Sequence, residues 1–132
     1  PPFCQTRFPR PLRMTAVPED ARPALDVLKS VGGDDMVAML MRTFVQFAEE
    51  RVAKLAEVAG HADWEEVAGI AHAIKSSARQ LGAMALGDAC SIAEEAGRAG
   101  DGARAQAGVD AIQREFSAAR VWMDELATKA SS

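Results

Sequence analysis

Apolar positions recur at intervals of three and four residues from about position 19 to position 127, and Gly or Pro falls between the recurring stretches. That spacing lines up side chains on one face of an α-helix. Residues 19–30 read as a short helix, opened by Pro18-Glu19-Asp20 and stopped by Gly32-Gly33. Acidic side chains in a first turn complement the helix dipole. A longer helix follows from Asp34 or Asp35 to Val58, with Val37, Leu40, Met41, Phe44, Phe47, Ala48, Val52 and Leu55 on one face, and Gly60-His61 ends it. A third helix, opened by Asp63 or a neighbour, runs to Leu81, and Gly82 suits the left-handed position just past a helix end. A fourth spans Met84 to Arg98 with Leu86, Ala89, Cys90, Ala93 and Ala96 inward, and Gly97, Gly100 and Gly102 surround its end. The last runs from about Asp101 to Ala127 along a seam of Val109, Ile112, Phe116, Ala119, Met123 and Leu126.

Short connections between amphipathic helices favour antiparallel neighbours. The expected fold is all-α: an antiparallel up-down-up-down four-helix bundle with a short additional N-terminal helix. The body is assigned to residues 19–132. Residues 1–18, broken by Pro1, Pro2, Pro9, Pro11 and Pro18, read as a flexible leader, within which Met14 is a candidate natural start.

Composition narrows the function classes. At 132 residues the chain is one domain by length, and 48% hydrophobic content with only 5% aromatics favours helices over strands. The net charge is −4, and apart from Arg7, Arg10 and Arg13 the basic residues are scattered, which argues against nucleic-acid binding. The two cysteines, Cys4 and Cys90, form neither a disulfide framework nor a zinc site, as expected of a protein of the reducing cytoplasm. Neither a bilayer-spanning run nor a signal peptide is read, and a monomer is expected.

The third helix carries the chemistry. Val67, Ile70, Ala71, Ile74, Ala78 and Leu81 form its apolar stripe. At about 100° per residue, His72, two positions from Ile70 and from Ile74, projects nearly opposite that stripe. Ala68 and Gly69 lie one turn before it, Lys75 and Ser76 one turn after, and Arg79 a further turn on. Gly69 costs about 1 kcal/mol of helix propensity relative to Ala, which in mid-helix marks close approach by another group or a glycine tolerated by chance. A neutral exposed imidazole offers a nitrogen lone pair and can form covalent intermediates. Lys75 is placed to stabilise an added phosphoryl charge, with Arg79 assisting at longer range. The plain alternative is a surface histidine without a role.

The run AHAIKSSARQLGAMALGDACSIAE, from Ala71 to Glu94, resembles the signature of histidine-containing phosphotransfer (HPt) domains: His72, then Lys75 and Ser76, then Leu81-Gly82, then Cys90 and Glu94. The resemblance extends over about residues 20–127. It implies a phosphorelay protein that accepts a phosphoryl group on His72 from a receiver-domain aspartate or a partner kinase and passes it to another receiver. It implies that Lys75 supports the phosphoryl group, that Ser76 stands where the family often has Gly, and that Glu94 and Arg98 project from the next helix toward the site. Ala68, Gly69, Ala73 and Ser76 would surround His72 on the docking face. Glu94 replaces the Gln of some members; an acid orients the imidazole but repels phosphate.

Three rivals fit less well. A metal-binding bundle needs Glu-x-x-His pairs, whereas Gly69 stands three before His72 and His61 lies in a loop. An autonomous kinase needs a phosphate-binding loop and an ATP module, which the helices leave no room for. A docking bundle without chemistry leaves the pairing of His72 with Lys75 without purpose. The expected cofactor content is therefore none in this chain, with Mg2+ on the partner receiver domain, and the expected partners are receiver domains or a hybrid histidine kinase.

Overall fold

The computed structural model describes residues 17–129. A 3-10 turn, Glu19–Ala21, leads into α1 (Arg22–Gly60), followed by α2 (Trp64–Gln80), α3 (Met84–Ala99) and α4 (Gly102–Lys129). α1 is broken at Gly33, whose φ of 76° and ψ of −174° no helix contains. The break separates a short N-terminal arm from the long helix, as the Gly32-Gly33 pair predicts, although the arm begins as a 3-10 turn and its α-helix starts only at Arg22. The leader and Cys4 lie outside the described residues, apart from Val17 and Pro18.

The connections span residues 61–63, 81–83 and 100–101, so each helix reverses on its predecessor. α1 packs on α2, α2 on α3, α3 on α4, and α4 back on α1. That closed ring is the four-helix bundle, and the expected fold stands. Asp63 caps α2, its Oδ1 accepting the Glu66 N–H at 3.3 Å. After Gln80, Gly82 takes a φ of 92°, and the Ala83 N–H donates to the Ala78 carbonyl at 2.8 Å. A Cβ on Gly82 would also sit 2.9 Å from the Ala21 carbonyl oxygen, so this turn needs Gly both for its dihedral and for the arm packed over it.

Met41, Leu55, Ile74, Leu86, Ile112 and Met123 are fully buried and unite all four helices in one core. Trp122, absent from the predicted seam, is buried as well, whereas Leu40, Phe47 and Val52 are only half-buried at its edge. Cys90 is buried, and burial pushes its thiol up to about 12 despite the nearby charges of Arg79 and Lys75. It behaves as a small hydrophobe. No described helix is long and apolar enough to cross a membrane.

Candidate functional site

α2 buries Val67, Ala68, Ile70, Ala71, Ile74 and Ala78 and leaves Gly69, His72, Ala73 and Ser76 exposed. The His72 side chain is 56% exposed, which bears out the phase argument made from the sequence. Ala68 is a correction. It is 2% exposed and faces α3, where a Cβ on Gly97 would meet the Ala68 Cβ at 3.1 Å. The single-stripe reading assumed one neighbour, but α2 packs between α1 and α3, so its buried arc is wider. Ala68 is therefore not on the exposed surface around His72, where a docking face was expected to include it.

The centre of the site is Glu94 on α3, with a side chain only 12% exposed. Its Oε2 lies 3.0 Å from His72 Nδ1 and accepts from Arg98 at 2.9 Å. Its Oε1 accepts from Lys75 Nζ at 2.6 Å. Burial alone would raise the pKa of this carboxyl group, but hydrogen bonds from Lys75 and Arg98 and the charge of Lys75 outweigh it and lower the value from 4.5 to about 2. Glu94 is thus ionised at neutral pH, and an ionised carboxylate only accepts hydrogen bonds. A neutral imidazole in a hydrogen bond with this carboxylate donates from Nδ1. Nε2 is left with a free lone pair on an exposed ring.

The stability that this ionisation supplies follows from the direction of the shift. A carboxyl group with a depressed folded-state pKa stabilises the fold fully above its ordinary value and ceases to do so as the pH falls through the folded value. The stability difference between wild type and Glu94→Gln should therefore narrow as the pH falls from about 4.5 to about 2. Urea unfolding at a series of pH values measures it, and a difference unchanged over that range would show that the carboxylate gains nothing from its cations.

Arg79 does not take the place expected of it. Its guanidinium donates to Asp88 Oδ1 at 3.3 Å and to Ser91 Oγ at 3.2 Å, and its stem covers Gly87, where a Cβ would meet Arg79 Cγ at 2.7 Å. It ties α2 to α3 and is not part of the Glu94 cluster. Among the described residues, no three His, Cys, Asp or Glu side chains gather in a way that would hold a metal ion.

The chain matches the Hpt domain model over residues 39–122. It belongs to the Hpt domain family. Among solved structures, this Hpt domain is similar to histidine-containing phosphotransfer protein B (HptB) from Pseudomonas aeruginosa PAO1, at 27% identity and a TM-score of 0.77 over 87% of this chain and 96% of that one. A comparison with curated proteins gave no match. The family and this likeness support a histidine phosphotransfer protein.

The Hpt domain has one further surface feature that the helix periods did not reveal. A groove of about 280 Å3 opens between α1 and α2, lined by Leu40, Thr43, Phe44, Phe47, Ser77, Gln80 and Leu81. Ser77 and Gln80 continue along α2 beyond His72, and the Arg51 guanidinium lies 5.1 Å from the Phe47 ring centre. The sequence pattern places Leu40 and Phe47 on the apolar face of the long helix with the core residues, because periodicity does not separate the edge of a seam from its middle.

Proposed function

We propose that this Hpt domain carries a phosphoryl group on His72 Nε2 between receiver domains of a phosphorelay. The observation that carries this reading is the 3.0 Å contact between Glu94 Oε2 and the Nδ1 edge of His72, which leaves the Nε2 edge of the exposed ring facing outward for attack. A receiver aspartyl-phosphate approaches the exposed face. The Nε2 lone pair forms the N–P bond, and the P–O bond to the aspartate breaks with its electron pair, regenerating a carboxylate. No proton moves. A second receiver reverses the step on its own aspartate.

The surroundings suit that chemistry. Glu94 contributes one negative charge and Lys75 and Arg98 two positive ones, so the cluster beside the neutral ring is net positive and favours an incoming phosphoryl group. Catalysis in this chain is mainly positioning, with Mg2+ and most of the electrostatic stabilisation supplied by the receiver. Gly69, Ala73 and Ser76 keep the surface around His72 low, and the half-buried Leu40 and Phe47 extend it with apolar area. Gly69 supports this reading because nothing lies within 4 Å of where its Cβ would be. Packing within the chain therefore does not require glycine there, and the open space leaves room for close approach by a partner.

Incubation with a panel of phosphorylated receiver domains should place an acid-labile, alkali-stable label on the protein. Retained receiver binding without label from any of them would favour a docking-only bundle. Gly69→Leu should weaken receiver binding by about tenfold, as steric intrusion at an interface core costs on the order of 1–3 kcal/mol. Unchanged affinity in a titration would place the docking face elsewhere.

A further inference from the structure

The cations of α2 and α3 around the site already hold carboxylates: Lys75 and Arg98 share Glu94, and Arg79 holds Asp88. Arg51 on α1 differs. It is exposed and, among the described residues, makes no ion pair. Its guanidinium lies 5.1 Å from the centre of the Phe47 ring instead. The sequence around it gives the reason. Residues three and four apart touch on a helix surface. Those positions around Arg51 hold Phe47, Ala48, Lys54 and Leu55, none of them an acid. α1 therefore supplies no counter-ion.

The antiparallel packing brings this cation level with His72. Arg51 stands as far before the end of α1 at Gly60 as Ala73 stands after the start of α2 at Trp64, so with equal rise per residue the two lie at the same height. Ala73 is exposed and directly follows His72. Ser77, one turn beyond Ala73, lines the groove against α1, which places Ala73 on the α1 side of His72. The surface around His72 is thus flanked by the Glu94 cluster from α3 and by Arg51 from α1. Phe47 has two roles there. Its ring seats the guanidinium and also forms one wall of the groove of about 280 Å3. A partner side chain that fills the groove is brought within reach of the Arg51 donors. An exposed ion pair contributes little in water. A partner that covers the groove excludes water from the pair and strengthens it. A guanidinium is weakly hydrated, stacks on an aromatic ring and presents a planar fork that matches a carboxylate.

We propose, resting on the phosphocarrier reading of His72, that Arg51 is a specificity residue: it favours receiver domains that place an apolar side chain in the α1–α2 groove with a carboxylate beside it, and disfavours those with a basic side chain there. Arg51 acts on docking and takes no part in forming the N–P bond.

The test compares wild type with Arg51→Lys, Arg51→Met and Arg51→Glu, using the receiver domain that binds wild type most tightly. Titration gives the affinity, and labelling from the phosphorylated receiver gives KM and the maximal transfer rate. Lys keeps the charge, whereas Met keeps an unbranched stem over Phe47 without it. Arg51→Met should weaken binding and raise KM about tenfold, Arg51→Glu should do so further, and Arg51→Lys should stay within about threefold of wild type, all with an unchanged maximal rate. Replacing the exposed carboxylates of the receiver by Lys one at a time should restore binding to Arg51→Glu at one position. Affinities of Arg51→Met and Arg51→Glu within about twofold of wild type would overturn the proposal, since that is within the spread of ordinary surface substitutions. So would the absence of a restoring position, or an equal loss in Arg51→Lys and Arg51→Met, which would show that packing on Phe47 matters and the charge does not. A wild type that binds receivers but takes no label would instead defeat the phosphocarrier reading. The affinity series needs no phosphoryl transfer and would still decide whether Arg51 selects a carboxylate.

Discussion

His72→Gln is expected to abolish phosphoryl labelling of this protein by every receiver that labels wild type, and to leave its stability within about 0.5 kcal/mol. The chemical half follows from the nucleophile. An amide nitrogen has its lone pair delocalised and does not attack phosphorus, and His61, the second histidine, lies in the turn between α1 and α2, outside the Glu94 cluster. The structural half follows from exposure. The His72 side chain is 56% exposed and, among the described residues, bonds at its Nδ1 edge to Glu94, which keeps Lys75 and Arg98 without it. Radiolabel transfer and urea unfolding on the same preparation check both halves. A labelled, folded His72→Gln protein would refute the site, and an unfolded one would mean that His72 has a structural role its exposure does not reveal.

The second large effect belongs to a residue far from the chemistry. Gly108→Val is expected to destabilise the bundle by about 1–3 kcal/mol. A Cβ on Gly108 would lie 2.7 Å from the Ala93 backbone nitrogen and 2.8 Å from its Cα, so α3 and α4 cross there nearly backbone on backbone. A clash with backbone cannot be relieved by a rotamer change, and the helices must separate. Ala93 directly precedes Glu94, so the displacement also reaches the carboxylate that holds His72. The gain in helix propensity on replacing Gly is at most about 1 kcal/mol and does not offset this. Gly69→Ala is the contrasting case: open space surrounds its Cβ position, and the same propensity term should make that variant slightly more stable. Denaturant midpoints distinguish the two. A Gly108→Val protein as stable as wild type would show that α3 and α4 separate at little cost.

Much of this protein was legible in its sequence because the signals concerned are local. The four long helices follow from three- and four-residue spacing, and their ends from Asp63, Gly82 and the Gly32-Gly33 pair. The exposure of His72 follows from the phase of α2 alone, since a residue two positions from Ile70 and Ile74 cannot share their face. The family signature adds that Lys75, Glu94 and Arg98 belong with His72, and all three are found in the one cluster.

The remainder was decided by how the helices meet. Ala68 is buried because α3 crosses α2 at Gly97, a contact that no periodicity within α2 encodes. Arg79 is drawn to Asp88 and Ser91 because those residues of α3 lie beside it. Leu40 and Phe47 line a groove because α1 and α2 leave space at their edge. Glu94 meets the imidazole because the register between α2 and α3 brings its carboxylate to the Nδ1 edge of His72 while Lys75 and Arg98 hold that carboxylate from either side. Sequence determines the period and phase of each helix, which depend on residues a turn apart; the angle and register between helices depend on side chains far apart in the chain, and only the folded bundle sets them.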